Sequence, residues 1–441
     1  MRTAVIVLGD LGRSPRMQYH AVSLADAGGE VDLIGLEGAP PILAVSANPR
    51  IHVHQLVDRS VSTRARGGVG RFVIASMFRA ARQALRLWRV LMRVPKPDTI
   101  LVQNPPAVPT LAVAWLVAKL RGARLVIDWH NLSHSVAAIR LGERHRAVRA
   151  LARSERRWAR RAGAHLAVSQ AMAAWLQRKY GVRATVVYDR PPQAFLRPLP
   201  ADQAALWAKV APMAGLGVDR IPLVVCPTSW TPDEDFDLLL EALERADRTL
   251  TGPLAGGDKP FLSADLSAVA QAKAEAPGAK VAGLSSPSLA VVLTGKGALR
   301  ESFEARAARR NFKSVAVRTL WLEPNDYPIF VGMADLGLCL HQSSSGLDLP
   351  MKLADFRGPG VPAAAFDYSP VLGEVLTAGK EGVTFRDPGD LANLLVAIAK
   401  RSATSDSPLA RSRTWLAAHP SERWEDHWKA TAGTVLMPGF Y

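Results

Sequence analysis

The chain is poor in cysteine: Cys226 and Cys339 are its only two, and they sit far apart in apolar, strand-like runs. That excludes a disulfide framework or a cysteine-built zinc site, and both read as buried thiols of a reducing compartment. Long hydrophobic runs are also missing. The most apolar stretch, Ala107 to Ala118, is broken by Pro109 and falls short of the ~20 residues that a bilayer-spanning helix needs. Met1-Arg2-Thr3 leads directly into the apolar run 4–8, leaving no room for a signal peptide, so no crossing of a membrane is expected. Acid is scarce as well: 39 Asp and Glu stand against 55 Lys and Arg, a net charge of +16. Such an imbalance asks for an acidic partner, whether a phosphate-bearing ligand, an anionic membrane or nucleic acid. No Cys/His finger, RNP-like aromatic motif or basic zipper accompanies the charge, so nucleic acid is not expected.

What is present is the content of a globular α/β protein. With 441 residues, 48% hydrophobic and 21% charged, the chain is long enough for two domains. Short apolar runs at 4–8, 31–36, 99–103, 124–128, 164–168 and 184–187 predict strands. Helical stretches rich in Ala, Leu and Arg lie between them at 15–27, 71–92, 107–121 and 145–162. The proline-rich segment 189–222 reads as an interdomain connection. The alternation then restarts, with strands at 222–226, 289–294, 314–318, 336–340 and 362–366 and helices at 235–247, 298–310, 327–333 and 388–400. Residues 251–288, full of Gly, Pro, Ser and Ala, read as an insertion. Two doubly wound halves in succession place a ligand cleft between them, at the carboxyl ends of their strands.

Chemistry-bearing residues gather at those strand ends. Gly9-Asp10-Leu11-Gly12-Arg13-Ser14-Pro15-Arg16 is a glycine turn from strand into helix with two cations, able to offer backbone N–H groups to an anion. Its spacing is not that of a dinucleotide-binding fold, it has no Walker lysine, and a plain tight turn fits it equally. Thr294-Gly295-Lys296-Gly297 repeats the pattern. Ser343-Ser344-Ser345-Gly346 opens a segment in which Lys352 and Asp355 stand at i, i+3. One helical face then presents an ammonium for phosphate and a carboxylate for ribose hydroxyls. Asp128-Trp129-His130-Asn131 sets a carboxylate and an imidazole at the end of a strand, a pair able to orient a hydroxyl and take its proton; a structural histidine is the plainer reading. Asn131-Leu132-Ser133 matches a glycosylation sequon without a secretory context. Asp233-Glu234-Asp235 has the D-x-D spacing of a metal-diphosphate site, but acids opening a helix complement its dipole, and no metal is expected there.

These segments resemble the chitobiosyldiphosphodolichol beta-mannosyltransferases. The similarity is carried, in the family's order and over nearly the whole chain, by V-L-G-D-L-G-R-S-P-R-M-Q-Y-H-A (7–21), L-V-Q-N-P-P (101–106) and L-V-I-D-W-H-N (125–131). It continues through T-S-W-T-P-D-E-D-F (228–236), L-T-G-K-G (293–297), W-L-E-P-N-D-Y-P (321–328) and C-L-H-Q-S-S-S-G-L-D-L-P-M-K (339–352). The resemblance implies a GT-B fold, two Rossmann-like domains facing across a cleft: 1–190 for the acceptor and 222–410 for the donor, with 191–221 as linker and a helix at about 411–441 packing back on the first domain. It implies GDP-mannose as donor and dolichyl-diphosphate chitobiose as acceptor, on the cytosolic face of the endoplasmic reticulum, with no cofactor and with other mannosyltransferases of the pathway as candidate partners. A catalytically inactive relative partnering another transferase is the alternative.

A β product from an α-linked donor requires inversion, hence one displacement and one general base. His130 is assigned that role, with Asp128 and Asp10 in reserve. The resemblance assigns Gly12, Arg13, Lys296, Ser345 and Lys352 to the diphosphate, Gly346 to the donor, Asp355 to ribose, and Glu323, in the loop from Trp321 to Asp326, to the nucleobase. Family members commonly carry an N-terminal membrane anchor, and none is expected in this sequence, which begins at its first strand; the insertion at 251–288 holds no familiar motif. An interfacial helix is expected instead at 71–94, its arginines interleaved with Phe72, Phe78, Leu85, Leu87, Trp88, Leu91 and Met92.

Overall fold

Runs such as Ala4–Val7 and Ile100–Val102 are wholly buried, as central strands covered on both faces must be. In the computed structural model, which describes residues 1–57, 69–217, 219–252, 287–401 and 407–439, they form the middle of a parallel sheet. Its strands are β1 (Arg2–Asp10), β2 (Glu30–Leu36), β3 (Ile51–Leu56), β4 (Thr99–Asn104), β5 (Arg124–Trp129), β6 (Ala164–Ala167) and β7 (Thr185–Val186), in the order β3-β2-β1-β4-β5-β6-β7. A second parallel sheet comprises β8 (Leu223–Pro227), β9 (Leu289–Thr294), β10 (Val315–Leu320), β11 (Leu336–Cys339), β12 (Ala363–Phe366) and β13 (Gly382–Phe385), in the order β10-β9-β8-β11-β12-β13. Both orders reverse direction beside their first strand, the switch point at which doubly wound sheets bind ligands.

Helices α1 (Pro15–Asp26), α2 (Leu43–Ser46), α3 (Val69–Arg93), α4 (Thr110–Arg121), α5 (Ser133–Leu141), α6 (Arg146–Ala159) and α7 (Gln170–Tyr180) belong to the first half. Their limits follow local chemistry. Proline opens α1, Ser169 caps α7 by accepting from Met172 N–H, and Gly181, in a left-handed conformation, closes it. The second half carries α8 (Pro200–Met213), α9 (Phe236–Thr251), α10 (Arg300–Ala308), α11 (Asp326–Gly332), α12 (Lys352–Arg357), α13 (Pro388–Ala399) and α14 (Pro408–Ala418); α15 (Trp424–Trp428) and α16 (Thr434–Leu436) follow.

Three expectations change here. The proline-rich connection contains α8, whose Leu206, Trp207 and Val210 enter the second core. Its prolines stand at the first position and in the last turn, where a helix tolerates one or ends. The chain does return to the first sheet, but not as one helix from 411: Leu409 of α14 packs in the second core, and Trp424, Trp428 and Leu436 then bury against α1 and β1. Helix α3 is not free to lie in lipid on its apolar side, because Leu87 and Leu91 are fully buried against the first sheet and Trp88 packs beside them. The side chains of Phe72 and Phe78 lie outside the described residues, as does 253–286 of the expected insertion.

Candidate active site

At the end of β5, Asp128 is fully buried and accepts from every side. Arg16 of α1 holds it with Nε (2.8 Å) and Nη2 (3.1 Å), and uses Nη1 for Asp189 (2.8 Å) and the Val187 carbonyl (2.9 Å). Arg16 is therefore a buried structural cation and not a contact for a ligand anion. Two imidazoles also reach Oδ2 of Asp128: His20 Nε2 at 3.2 Å and His130 Nε2 at 2.8 Å. Trp428 donates to Nδ1 of His20 (2.9 Å), so His20 carries its proton on Nε2 and gives it to Asp128. Burial opposes the charge on Asp128, but Arg16 and His130 outweigh it and hold the carboxyl well below its usual range.

The ionised carboxylate fixes His130 with its proton on Nε2. Nδ1 has no protein partner among the described residues, and the side chain keeps 20% of its exposure. Asp128 thus positions an imidazole whose lone pair is presented outward. The next residue, Asn131, crosses to the second half: its amide donates to Ser344 Oγ (3.3 Å), which also meets Ser135 Oγ (3.0 Å). Ser169 Oγ donates to the Leu347 carbonyl (2.5 Å), and Glu374 receives the Gln170 and Ala171 N–H groups of α7 and the Tyr188 hydroxyl. The imidazole and the 343–347 loop therefore stand on facing sides of one cleft.

Across it, Lys352 is paired with Glu234, whose other oxygen accepts from Thr228 Oγ1 and from the Ser229 (3.0 Å) and Trp230 (3.1 Å) N–H groups. The three acids of the D-x-D spacing have separate tasks. Asp233 bonds His341 (3.0 Å), Glu234 anchors Lys352, and only Asp235 caps α9, accepting from Leu238 N–H (2.9 Å). No group of three or more His, Cys, Asp or Glu fit to hold a metal occurs among the described residues. Thr228, Ser229, Gly295, Trp321, Tyr327 and Lys352 line one groove at the carboxyl ends of β8, β9 and β10. Gly295 is obligatory there: it sits at φ +133°, and a Cβ would lie 1.9 Å from the Thr228 carbonyl. Trp230, at φ +55°, is held in that left-handed conformation by its bond to Gly295 O (3.1 Å) and by stacking on Phe236.

The other expected residues are distributed as follows. Lys296 lies 4.0 Å above the Trp321 ring at the groove's edge. Asp355 accepts from Tyr327 OH (3.0 Å); burial raises its carboxyl to about 7, the Tyr327 bond opposing and Asp189 adding repulsion. Glu323 is exposed, and its carbonyl opens α11 by accepting from Asp326 and Tyr327 N–H. Ser345 Oγ faces Asp348 (3.3 Å), and Gly346, at φ +68°, donates N–H to Ser343 Oγ (2.8 Å). Asp10, Gly12 and Arg13 gather on the 38–40 turn. Asp10 accepts from Ala39 N–H (3.0 Å) with Arg13 at 3.5 Å, and a Cβ on Gly12 would strike Ala39 O at 2.3 Å.

His341 escaped the sequence reading, although it sits within the 339–352 motif. It bridges Asp233 (3.0 Å) and Asp348 (3.1 Å), and Asp348 gathers the Ser343 and Ser345 hydroxyls. Burial favours the neutral ring, but the two carboxylates prevail and raise its pKa to about 9, while Asp233 falls to about 2. A raised His pKa gives stability that is complete below the unfolded value of about 6.5 and lost as pH climbs through about 9, at most roughly 3 kcal/mol. Denaturant melts of the parent and of His341→Gln should therefore differ most near pH 6 and converge above about pH 9. A constant difference would remove the charged strut.

Two facing doubly wound sheets, with an imidazole on one rim and a lysine-bearing groove on the other, are the architecture of GT-B glycosyltransferases. Residues 12–188 match the glycosyl transferase 4-like domain family. Sucrose-phosphate synthase from Thermosynechococcus elongatus shares the fold, with a TM-score of 0.65 over 99% of this chain and 98% of that one at 13% identity. The mouse (Mus musculus) chitobiosyldiphosphodolichol beta-mannosyltransferase is 34% identical, covering 98% of this chain and 88% of that protein. A UDP-glycosyltransferase of Arabidopsis thaliana, TURAN, is 35% identical over 99% and 97%. The chain is a glycosyltransferase. It belongs to the chitobiosyldiphosphodolichol beta-mannosyltransferase family.

Proposed function

We propose that the protein transfers mannose from GDP-mannose to dolichyl-diphosphate chitobiose with inversion, forming a β-1,4 bond, on the cytosolic face of the endoplasmic reticulum membrane. The observation that carries this reading is His130: its Nε2 is fixed by Asp128, its Nδ1 is without a partner among the described residues, and its neighbour Asn131 touches the loop that leads to Lys352. Nδ1 takes the proton of the acceptor's 4-hydroxyl as that oxygen attacks the anomeric carbon. The GDP leaves opposite the attack, its diphosphate facing Lys352, Lys296 and the Ser345–Gly346 backbone. Asp355 receives the ribose hydroxyls, and Trp321 to Glu323 flank the base. Cationic side chains then do the work of a metal, and no cofactor is used.

One relative is named for UDP and others for a mannosyltransferase, so the nucleotide is the sharpest test. GDP should raise the melting temperature, by about 2.7 kcal/mol of stability at a hundred times its Kd, and UDP far less. Equal shifts would remove the donor assignment. Turnover should persist in excess chelator; loss on chelation with rescue by Mn²⁺ would contradict the metal-free reading. The new sugar should be released by a β- and not an α-mannosidase.

GDP binding should also weaken as pH falls below about 7, because the ribose hydroxyls need Asp355 ionised and burial favours its protonated form. Titrations of Asp355→Asn should be weak and flat across the same range. A parent whose affinity does not change from about pH 8 to about pH 5 would take the ribose role from this carboxylate.

A further inference from the structure

The chain's positive charge is concentrated in one part of it. Residues 69–162 hold 19 Lys and Arg against four Asp and Glu, while the remainder holds 36 against 35. Two of the four acids, Asp128 and Glu155, are fully buried. This segment supplies α3, α4, α5 and α6. Helices α3, α4, α6 and α7 cover the same face of the first sheet, sharing one core through Leu91, Leu111, Ala159 and Leu176.

Their outward sides carry apolar rows in place of the expected polar ones. Leu85 and Met92 lie seven residues apart on α3, Leu116 and Leu120 four apart on α4, and Val136 and Ile139 three apart on α5, all between 42% and 60% exposed. Scattered exposed leucines are ordinary, but rows on α3 and α4, which share one layer, call for a partner, and α5, which follows the His130 loop, carries a third. Between α4 and α6, Trp115 and Trp158 pack together with Lys119, Arg157 and Arg161 over their rings. Among the described residues no helix is long and apolar enough to cross a bilayer.

We propose that the outer face of α3, α4 and α5 is a docking surface for a bilayer with anionic head groups, its leucines and Ile139 entering the interface and the flanking arginines meeting lipid phosphate. This deepens the function proposed above and rests on it for purpose. Helix α5 begins three residues after His130, and its Ser135 touches Ser344 across the cleft, so docking this face brings the cleft's lip to the lipid that holds the acceptor's tail. It also changes the role of α3. The helix joins the surface through Leu85, Met92 and its arginines, while Leu87 and Leu91 serve the core. Exposed aliphatic rows interleaved with cations suit head groups and acyl chains; nucleic acid is met by aromatic platforms and cations without such rows.

Flotation of the full chain with phosphatidylcholine vesicles, with and without a third of phosphatidylserine, tests this. The parent should float with the anionic vesicles, lose most of that binding at high salt, and stay with the soluble fraction beside neutral ones. Leu116→Ser/Leu120→Ser/Ile139→Ser should lower partitioning at least about tenfold, with an unchanged melting temperature and unchanged turnover of a tail-less, water-soluble acceptor. A parent that binds no anionic vesicle, a triple variant that floats like the parent, or capture by duplex RNA in preference to vesicles would each overturn the proposal. Vesicle binding without turnover would count against the mannosyl-transfer reading alone, and turnover without vesicle binding against the docking face alone.

Discussion

His130→Ala should lower turnover by roughly 10²–10⁴-fold and leave GDP binding near the parent's, the signature of a lost general base. The split follows from position. His130 belongs to the first half, and its neighbour Asn131 bonds Ser344 of the second, whereas the groove at β8, β9 and β10 is lined by other residues. Of the two reserve bases, Asp128 is saturated by Arg16, His20 and His130 and is fully buried, so its part is to position the imidazole. Asp10 is engaged with Ala39 on a separate turn, yet it remains partly open to solvent. Near-normal turnover in His130→Ala would move the base to Asp10, and Asp10→Ala would then show the large loss.

Lys352→Ala should do double damage. It removes a cation from the leaving group, and it leaves the Glu234 carboxylate buried among Thr228, Ser229 and Trp230 without its counter-charge. Breaking one partner of such a pair costs about 3–5 kcal/mol, a large part of a typical domain's stability. We expect a melting point lower by several degrees, GDP binding lost, and turnover abolished. The control is Lys352→Ala/Glu234→Gln, which removes the orphaned charge and should recover stability without recovering GDP binding. A Lys352→Ala protein with parental stability and parental GDP affinity would mean that the ammonium serves neither task.

Legibility in the sequence followed burial. Strands covered on both faces, such as 124–128 and 289–294, read as apolar runs and lie where they were expected. Of the four edge strands, β7 and β10 also read, at 184–187 and 314–318, but β3 exposes His52 and Val53, and β13 is only Gly382–Phe385, so neither of these runs rises above its flanks. Helix α7 was overlooked although Ser169 and Gly181 mark its ends, and α8 was hidden by prolines that stand at its limits. The site divides in the same way. Asp128 with His130, and Lys352 with Asp355, are local spacings and could be read. Arg16 with Asp128, Lys352 with Glu234 and His341 with Asp233 join residues more than a hundred positions apart, and no local pattern encodes such partners.

The central claim is most directly tested by incubating the protein with GDP-mannose and a lipid-diphosphate chitobiose and weighing the product by mass spectrometry. The account predicts the addition of a single hexose, dependent on GDP-mannose and absent with UDP-sugars. No addition from GDP-mannose, with hexose transferred from a UDP-sugar or to an acceptor lacking chitobiose, would contradict it.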